Sequence, residues 1–155
     1  MAIGVERVDW EPVPSFRFVV QLGGTPAGWF TQCGGLTVER TVYPVEEGGL
    51  NAFVHQLPNR ATSSRITLKR GIADEALWKW FVGQNDAGLY ESKVEYRNIT
   101  IVLYNVDRTE AKRWNVSRAY PVKWSGPDLN TDGNNLAIET LELIHHGISL
   151  VALKK

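Results

Sequence analysis

Short stretches in which alternate residues are apolar, each closed by a turn-forming residue, are the feature that most constrains the fold of this chain. Between residues 15 and 22, one set of apolar side chains falls at every second position, and Gly23-Gly24 then ends the stretch. Successive side chains of a β-strand point to opposite faces of the sheet, so this period predicts strands with one buried face. The predicted strands are 15–22, 36–43, 64–70, 93–104, 112–118 and 136–144.

One segment, residues 74–84, has helical spacing instead. Leu77, Trp80 and Phe81 stand at positions i, i+3 and i+4, and Asp74 is a suitable N-cap residue. Many short strands with one helix indicate a mainly β fold, an antiparallel β-sandwich or barrel on which the single helix packs.

The chain has 155 residues, the length of one domain. Its first fourteen residues have no regular period and include Pro12 and Pro14. We therefore expect an N-terminal arm over residues 1–14 and a single β domain over residues 15–155.

Charge and composition exclude several classes of protein. Seventeen Lys and Arg residues balance seventeen Asp and Glu residues, whereas a binder of nucleic acid or membrane surfaces would show a basic excess. Cys33 is the single cysteine, so no internal disulfide can form. The sequence lacks a run of eighteen apolar residues and a basic start followed by an apolar stretch, so we expect no membrane span, no signal peptide and synthesis in the cytoplasm.

The sharpest match to a chemical motif is an EF-hand-like loop. Asp128, Asn130 and Asp132 stand at ligand positions 1, 3 and 5, Gly133 at position 6 and Glu139 at position 12. An EF-hand needs a helix on each side, and the sequence before Asp128 is Trp-Ser-Gly-Pro. Glu139 also falls within a predicted strand, so we expect no calcium site and no other cofactor or metal.

Other catalytic patterns are missing from the sequence. His145 and His146 are adjacent, so on a strand they would face opposite sides and could not chelate one metal. The sequence holds no Gly-x-Ser-x-Gly elbow and no phosphate-binding Gly-x-x-x-x-Gly-Lys loop, and Cys33 has no evident base. We therefore predict that the protein is not an enzyme.

Residues 44–60 form the longest stretch without a clean period. This stretch holds Gly48-Gly49 and Leu57-Pro58-Asn59. The sequence predicts a long loop here, and loops of more than about 12–15 residues are usually functional or mobile.

An ordered set of segments resembles a known family. These include Tyr-Pro-Val-Glu-Glu-Gly-Gly at residues 43–49 and Ile-Thr-Leu-Lys-Arg-Gly at residues 66–71. In order and spacing the set resembles the tail tube family of contractile phage tails and phage-tail-like injection particles, from about residue 14 to about residue 150. The segments are 16–20, 27–36, 43–49, 57–60, 66–71, 77–81, 113–114, 120–127 and 138–147.

The resemblance implies a small β-barrel or sandwich with one helix that forms hexameric rings. Such rings stack into a hollow tube inside a contractile sheath, and the family is related to the tube protein of type VI secretion. The implied partners are other copies of the chain, the sheath, the baseplate or hub, tube-terminating proteins and the payload in the lumen.

Stacked rings need a head-to-tail contact, and the predicted loop is the candidate for it. Interface residues are expected along this stretch. They are Pro44, Val45, Glu46, Glu47, Gly48, Gly49, Leu50, Asn51, Phe53, Leu57 and Arg60.

Alternatives remain at this stage. Within the family, the chain could form the main shaft or act as a tube-initiating or baseplate-adaptor paralogue, in a phage or in a domesticated injection machine. From another class, six tryptophans and the loop at residues 128–139 would suit a monomeric carbohydrate- or calcium-binding β-sandwich module. A binding module would stay monomeric at high concentration, whereas a tube subunit would form rings or filaments.

Overall fold

The computed structural model describes residues 18–27, 30–49, 51–72, 75–83 and 94–152. The predicted N-terminal arm lies outside these residues. The described elements are β1 (Phe18–Leu22), β2 (Thr25–Pro26), β3 (Gln32–Gly34), β4 (Val38–Val45), β5 (His55–Ser63), β6 (Ile66–Gly71), α1 (Ala76–Val82), β7 (Arg97–Tyr104), β8 (Glu110–Ser125), β9 (Ile138–Ile144) and β10 (Gly147–Val151).

The strands form one large antiparallel sheet and one separate two-stranded ribbon. The large sheet has the order β2-β1-β7-β8-β9-β6-β3, with β10 also paired to β8, and the ribbon is β4-β5. The mainly β fold with antiparallel pairing and one short helix is thus confirmed.

Strand β8 belongs to both halves of the large sheet. Its first part pairs with β7 and β10, and residues 120–125 pair with β9. At the change of partner, Arg118 has a φ of 48°, and its N–H donates to Oδ1 of Asn98 over 3.0 Å. Bulges and bends of this kind allow one strand to pass from one sheet to the next.

The core lies where the two halves of the sheet face each other. Strand β9 buries alternate residues, among them Leu141 and Leu143, and β6 buries Ile66 and Leu68 in the same way. They form one apolar cluster with side chains of β1, β7 and β8. The apolar residues whose alternation predicts these strands are therefore the residues that fill the core.

Helix α1 closes one side of this core. Leu77 and Trp80 are buried, and Nε1 of Trp80 donates to the carbonyl of Glu95 over 3.1 Å. The helix ends at Gly83, which has a φ of 85° and donates its N–H to the carbonyl of Lys79. The predicted cap Asp74 lies outside the described residues, as does residue 84.

The prediction of one long loop over residues 44–60 is wrong. Strand β4 continues to Val45 and β5 begins at His55, so only residues 46–54 connect them. The alternation of apolar and polar residues is missing because neither face of the ribbon is buried, so the subunit's own core does not require it. Pro44 and Pro58 are tolerated because each strand of a two-stranded ribbon has one unpaired edge.

Other boundaries also differ from the predicted ones. The second predicted strand is displaced to Val38–Val45, and the predicted strand 112–118 is part of the 16-residue β8. Strand β10 was not predicted. Among the described residues, no helix is long and apolar enough to cross a membrane.

The turn between β7 and β8 holds a non-glycine residue, Arg108, in a left-handed backbone conformation. Arg108 has a φ of 69° and an exposed side chain. The left-handed region costs an L-residue roughly 1–2 kcal/mol, while glycine adopts it freely but loses more backbone entropy on folding. We expect Arg108→Gly to raise the free energy of unfolding by about 0.5–1 kcal/mol in urea titrations. A loss of stability would contradict this account of the turn.

Candidate functional site: an exposed hairpin

The candidate site is the hairpin, defined here as β4, the connection over residues 46–54, and β5. Its strands make an antiparallel pair with a bulge between Arg40 and Val42. Every described residue of the two strands is exposed except Val45, which is half-buried. An isolated two-stranded ribbon is marginally stable in water, so a hairpin of this length needs a further surface to pack on.

Large apolar side chains are exposed along the hairpin. Tyr43 lies opposite Leu57 on one face, with 64% and 53% of their surfaces exposed. Val42, Phe53 and Val54 are also exposed. Several large apolar side chains exposed on one short hairpin are typical of protein–protein contact sites.

The tip of the hairpin carries acidic and glycine residues. Glu46 and Glu47 precede Gly48-Gly49, and Gly49 has a φ of 93°, which favours glycine. Nε2 of His55 lies 3.6 Å from a carboxylate oxygen of Glu47, and the His55 ring meets Phe53 edge-to-face at 5.0 Å. The tip therefore combines charge with an aromatic side chain.

The root of the hairpin is held firmly against the body. The N–H of Ser64 donates to the carbonyl of Thr37 over 3.2 Å. Nε2 of His145 lies 3.0 Å from the carbonyl of Ser64, and Arg65 forms an ion pair with Glu142 at 3.2 Å. Both contacts join the residues directly after β5 to β9 or to the residue that follows it. The exposed ribbon is therefore held at its base.

The predicted interface residues fall on this hairpin, except Leu50, which lies outside the described residues. Pro44 and Val45 are on β4, and Leu57 and Arg60 are on β5. The remaining predicted residues lie in the connection. They are Glu46, Glu47, Gly48, Gly49, Asn51 and Phe53.

Three apolar residues of β4 are exposed, although the sequence predicts a strand with one buried face over residues 36–43. Val38, Val42 and Tyr43 were assigned to a half-buried strand, yet each is more than half exposed. The signal that could have found them is their spacing: three polar residues separate Val38 from Val42, and Tyr43 follows Val42 directly, so they lack the alternation of a strand with one buried face.

The EF-hand-like residues form no such loop. Asp128, Asn130 and Asp132 lie in the connection before β9, where the N–H of Asp132 donates to Oδ1 of Asn130 over 2.9 Å. Glu139 lies on β9, 3% exposed, and both its oxygens are engaged. Nε of Arg70 donates to one over 2.6 Å, and no group of three or more metal-ligating side chains occurs among the described residues.

The second oxygen of Glu139 accepts a hydrogen bond from Nε1 of Trp124 over 3.0 Å. Arg70 also donates to the carbonyl of Ala27 over 3.1 Å and lies 5.9 Å from the centre of the Phe30 ring. Glu139 is therefore part of a buried network that joins β6, β8 and β9, and its role in that network is structural.

The two adjacent histidines lie between β9 and β10, not on a strand, and they differ in burial. His145 is buried and contacts the hairpin root, whereas His146 is exposed and meets the ring of Tyr96 edge-to-face at 6.1 Å. Cys33 is half-buried, and burial raises the pKa of its thiol to about 11. A thiol with a raised pKa is mostly protonated at neutral pH and is a poor nucleophile.

The sequence match decides the family. Residues 14–149 match the profile of the T4-like virus tail tube protein gp19. The chain belongs to this tail tube family. The match favours the tube hypothesis over a carbohydrate- or calcium-binding module, and it covers every described strand except the last residues of β10.

Solved structures agree with this tail tube assignment. A chain in the PVC sheath–tube complex, an extracellular contractile injection system in its extended state, is 28% identical, with a TM-score of 0.79 over 94% of this chain and 95% of that one. A chain in the anti-feeding prophage tube-terminating cap is 27% identical, with a TM-score of 0.82 over 99% and 100%. A type six secretion system protein at 9% identity and a TM-score of 0.59 shares the fold alone. No curated protein sequence is significantly similar to this chain.

Proposed function

We propose that this chain is the structural subunit of the inner tube of a contractile tail or injection particle. The observation that carries the proposal is the tail tube family match over residues 14–149. In this function six copies form a ring, and rings stack into a hollow tube that conducts DNA or an effector payload. Contraction of a surrounding sheath drives the tube outward, and the subunit itself catalyses nothing.

The exposed hairpin supports this assembly. A subunit whose ribbon exposes apolar side chains gains stability when another copy covers that ribbon. The hairpin is held at its base and its tip is exposed. We therefore expect the tip to contact a neighbouring ring. We assign it the head-to-tail contact between rings, which must join two different surfaces of the same subunit.

The same proposal sets the partners and the location. The similar chains come from a sheath–tube complex, a tube-terminating cap and a baseplate, so a sheath, a cap and a baseplate are the proposed partners here. The assembled particle is virion-borne, released or intracellular.

Shortening the hairpin tip tests the stacking contact. Deletion of residues 48–53 is expected to leave a folded subunit, because the described tip residues are exposed and the root contacts remain. Negative-stain electron microscopy should then show rings or short stacks instead of long tubes. Leu57→Asp, which places a charge on the apolar face, should act in the same direction.

Leu129→Asp is the matched control, since Leu129 is 89% exposed but lies far along the chain from the hairpin. It should leave tube length unchanged. Tubes of normal length from the tip deletion would refute the assignment of the hairpin to ring stacking.

A further inference from the structure

A cation and three aromatic rings form a cluster on the surface where β8 changes its pairing partner. The guanidinium carbon of Arg118 lies 4.7 Å from the centre of the Tyr96 ring. The Tyr96 ring also meets the rings of Tyr120 and His146 edge-to-face, at 5.2 Å and 6.1 Å. Arg118 and His146 are exposed, and 47% of Tyr96 is exposed. We call these four residues the Arg118 patch.

The backbone of Arg118 is held in an unusual conformation. Its φ of 48° lies in the left-handed region, and its N–H donates to Oδ1 of Asn98 over 3.0 Å. Strained backbone of this kind occurs preferentially at functional sites. Among the described residues, the Arg118 guanidinium has no carboxylate partner, and its contact is the Tyr96 ring. The charge is therefore positioned on the surface without being paired.

The chemistry of the patch favours an anionic partner with an aromatic or apolar neighbour. A guanidinium binds carboxylate oxygens through its planar set of N–H donors, and a ring beneath it can stack at the same time. Nucleic acid is the less favoured partner, because seventeen basic residues are balanced by seventeen acidic ones and the chain has no basic excess.

The tip of the hairpin carries the complementary groups. Glu46 and Glu47 are both exposed, and Glu47 is engaged by His55 at 3.6 Å. Glu46 has no ion pair among the described residues. Phe53, 58% exposed, stacks edge-to-face on His55 beside these carboxylates. The tip thus offers a carboxylate next to aromatic rings, and the patch offers a guanidinium next to aromatic rings.

The tip lies too far from the patch of its own subunit. His146 directly follows His145, whose Nε2 lies 3.0 Å from the carbonyl of Ser64 at the hairpin root, so the patch is close to the root. Strand β5 has nine residues from the tip to the root. At about 3.3 Å per residue, the tip lies roughly 25–30 Å from the root. The tip that reaches a patch must therefore belong to another copy of the chain.

We propose that the hairpin tip of one subunit docks on the Arg118 patch of a subunit in the adjacent ring. Glu46 then pairs with Arg118, and Phe53 packs against the tyrosine rings. This contact rests on the proposed tube function, which requires the second copy, and it names the surface that receives the hairpin. Tip and patch are different surfaces of one subunit, as a head-to-tail contact requires.

A charge swap tests the contact. Arg118→Glu and Glu46→Arg each place like charges opposite one another, and like charges across an interface are unfavourable. Each single variant should shorten the median tube length in negative-stain electron microscopy by at least about threefold, because every ring junction repeats the contact. Arg118→Glu combined with Glu46→Arg restores opposite charges and should recover at least about half of the native length.

Arg108→Glu is the matched control. Arg108 is also an exposed arginine with a positive φ, 69°, but it lies in the turn before β8. This variant should leave tube length unchanged. Raising sodium chloride from about 0.05 M to about 0.5 M shortens the Debye length from roughly 14 Å to roughly 4 Å. The difference in length between native tubes and Arg118→Glu tubes should therefore shrink, which a folding defect would not produce.

The outcomes separate this contact from the tube function. Arg118→Glu tubes of normal length, or short tubes that the double variant does not restore, overturn the contact and leave the tube function standing. Normal tubes of Arg118→Glu that lose binding of a labelled single-stranded DNA would assign the patch to nucleic acid and also overturn it. Failure of the native chain to form rings or tubes would refute the proposed function, and the contact with it.

Discussion

Replacement of Gly35 by alanine is expected to abolish stable folding of the subunit or to lower its stability severely. Gly35 has a φ of 85°, and a Cβ at this position would lie 1.8 Å from the carbonyl oxygen of Arg65 and 2.8 Å from its carbonyl carbon. Both contacting atoms are backbone, so no side chain can rotate away. The overlap and the left-handed backbone together should cost at least about 3 kcal/mol.

The measurement is thermal and urea unfolding of the purified subunit. For a chain of this size, such a loss should lower the melting temperature by roughly 6–12 °C. Gly34→Ala is the matched control, because nothing lies within 4 Å of its added Cβ and no left-handed φ is involved. Equal melting temperatures for the two variants would contradict the close approach at the hairpin root.

Breaking the buried ion pair should have the second large effect. Arg70 and Glu139 are directly opposed in the pairing of β6 with β9, and their side chains are 1% and 4% exposed. Glu139→Gln keeps the shape of the side chain but removes the carboxylate charge that faces the guanidinium of Arg70. Removing one partner of a buried pair costs about 3–5 kcal/mol, which should appear in urea unfolding at pH 7.

Two further variants test the cause. Arg70→Met combined with Glu139→Leu removes both charges and should recover most of the stability, since apolar replacements of whole buried pairs are often close to neutral. A double variant as unstable as Glu139→Gln alone would show that the other contacts of Arg70, and not the loss of the carboxylate charge opposite it, explain the loss of stability.

Glu142→Gln is the control on the same strand. Glu142 is bridged by Arg65 at 3.2 Å and Lys123 at 3.4 Å on the outer face. The hydrogen bond from Arg65 holds the pKa of this carboxyl below its usual value. The stabilisation that the ionised Glu142 carboxylate provides is present above its unfolded-state pKa and is lost as pH falls through its lowered folded-state pKa. Because these ion pairs are exposed to water, this stabilisation is small.

Sequence patterns predicted the parts of the fold in which one strand face is buried. The alternation in β6 and β9 is visible in the sequence because Ile66, Leu68, Leu141 and Leu143 fill the core. The helix was predicted for the same reason, since Leu77 lies on its buried face. In both cases burial imposes a period that composition alone would not show.

The hairpin and the ion pair could not be predicted in this way. The hairpin buries neither face within its own subunit. Its strands therefore lack the alternation of apolar and polar residues, and the sequence predicts a loop over much of it. Arg70 and Glu139 are 69 positions apart, and only the register of β6 against β9 brings them together. The motif at residues 128–139 likewise matched by spacing, while the fold commits Glu139 to the core.

The central claim is that this chain assembles into a hollow tube, and electron cryomicroscopy of the purified chain tests it most directly. The account predicts stacked rings of six subunits around an open lumen, with the hairpin contacting another subunit. Monomers that remain dispersed at high protein concentration, without rings or filaments, would contradict it.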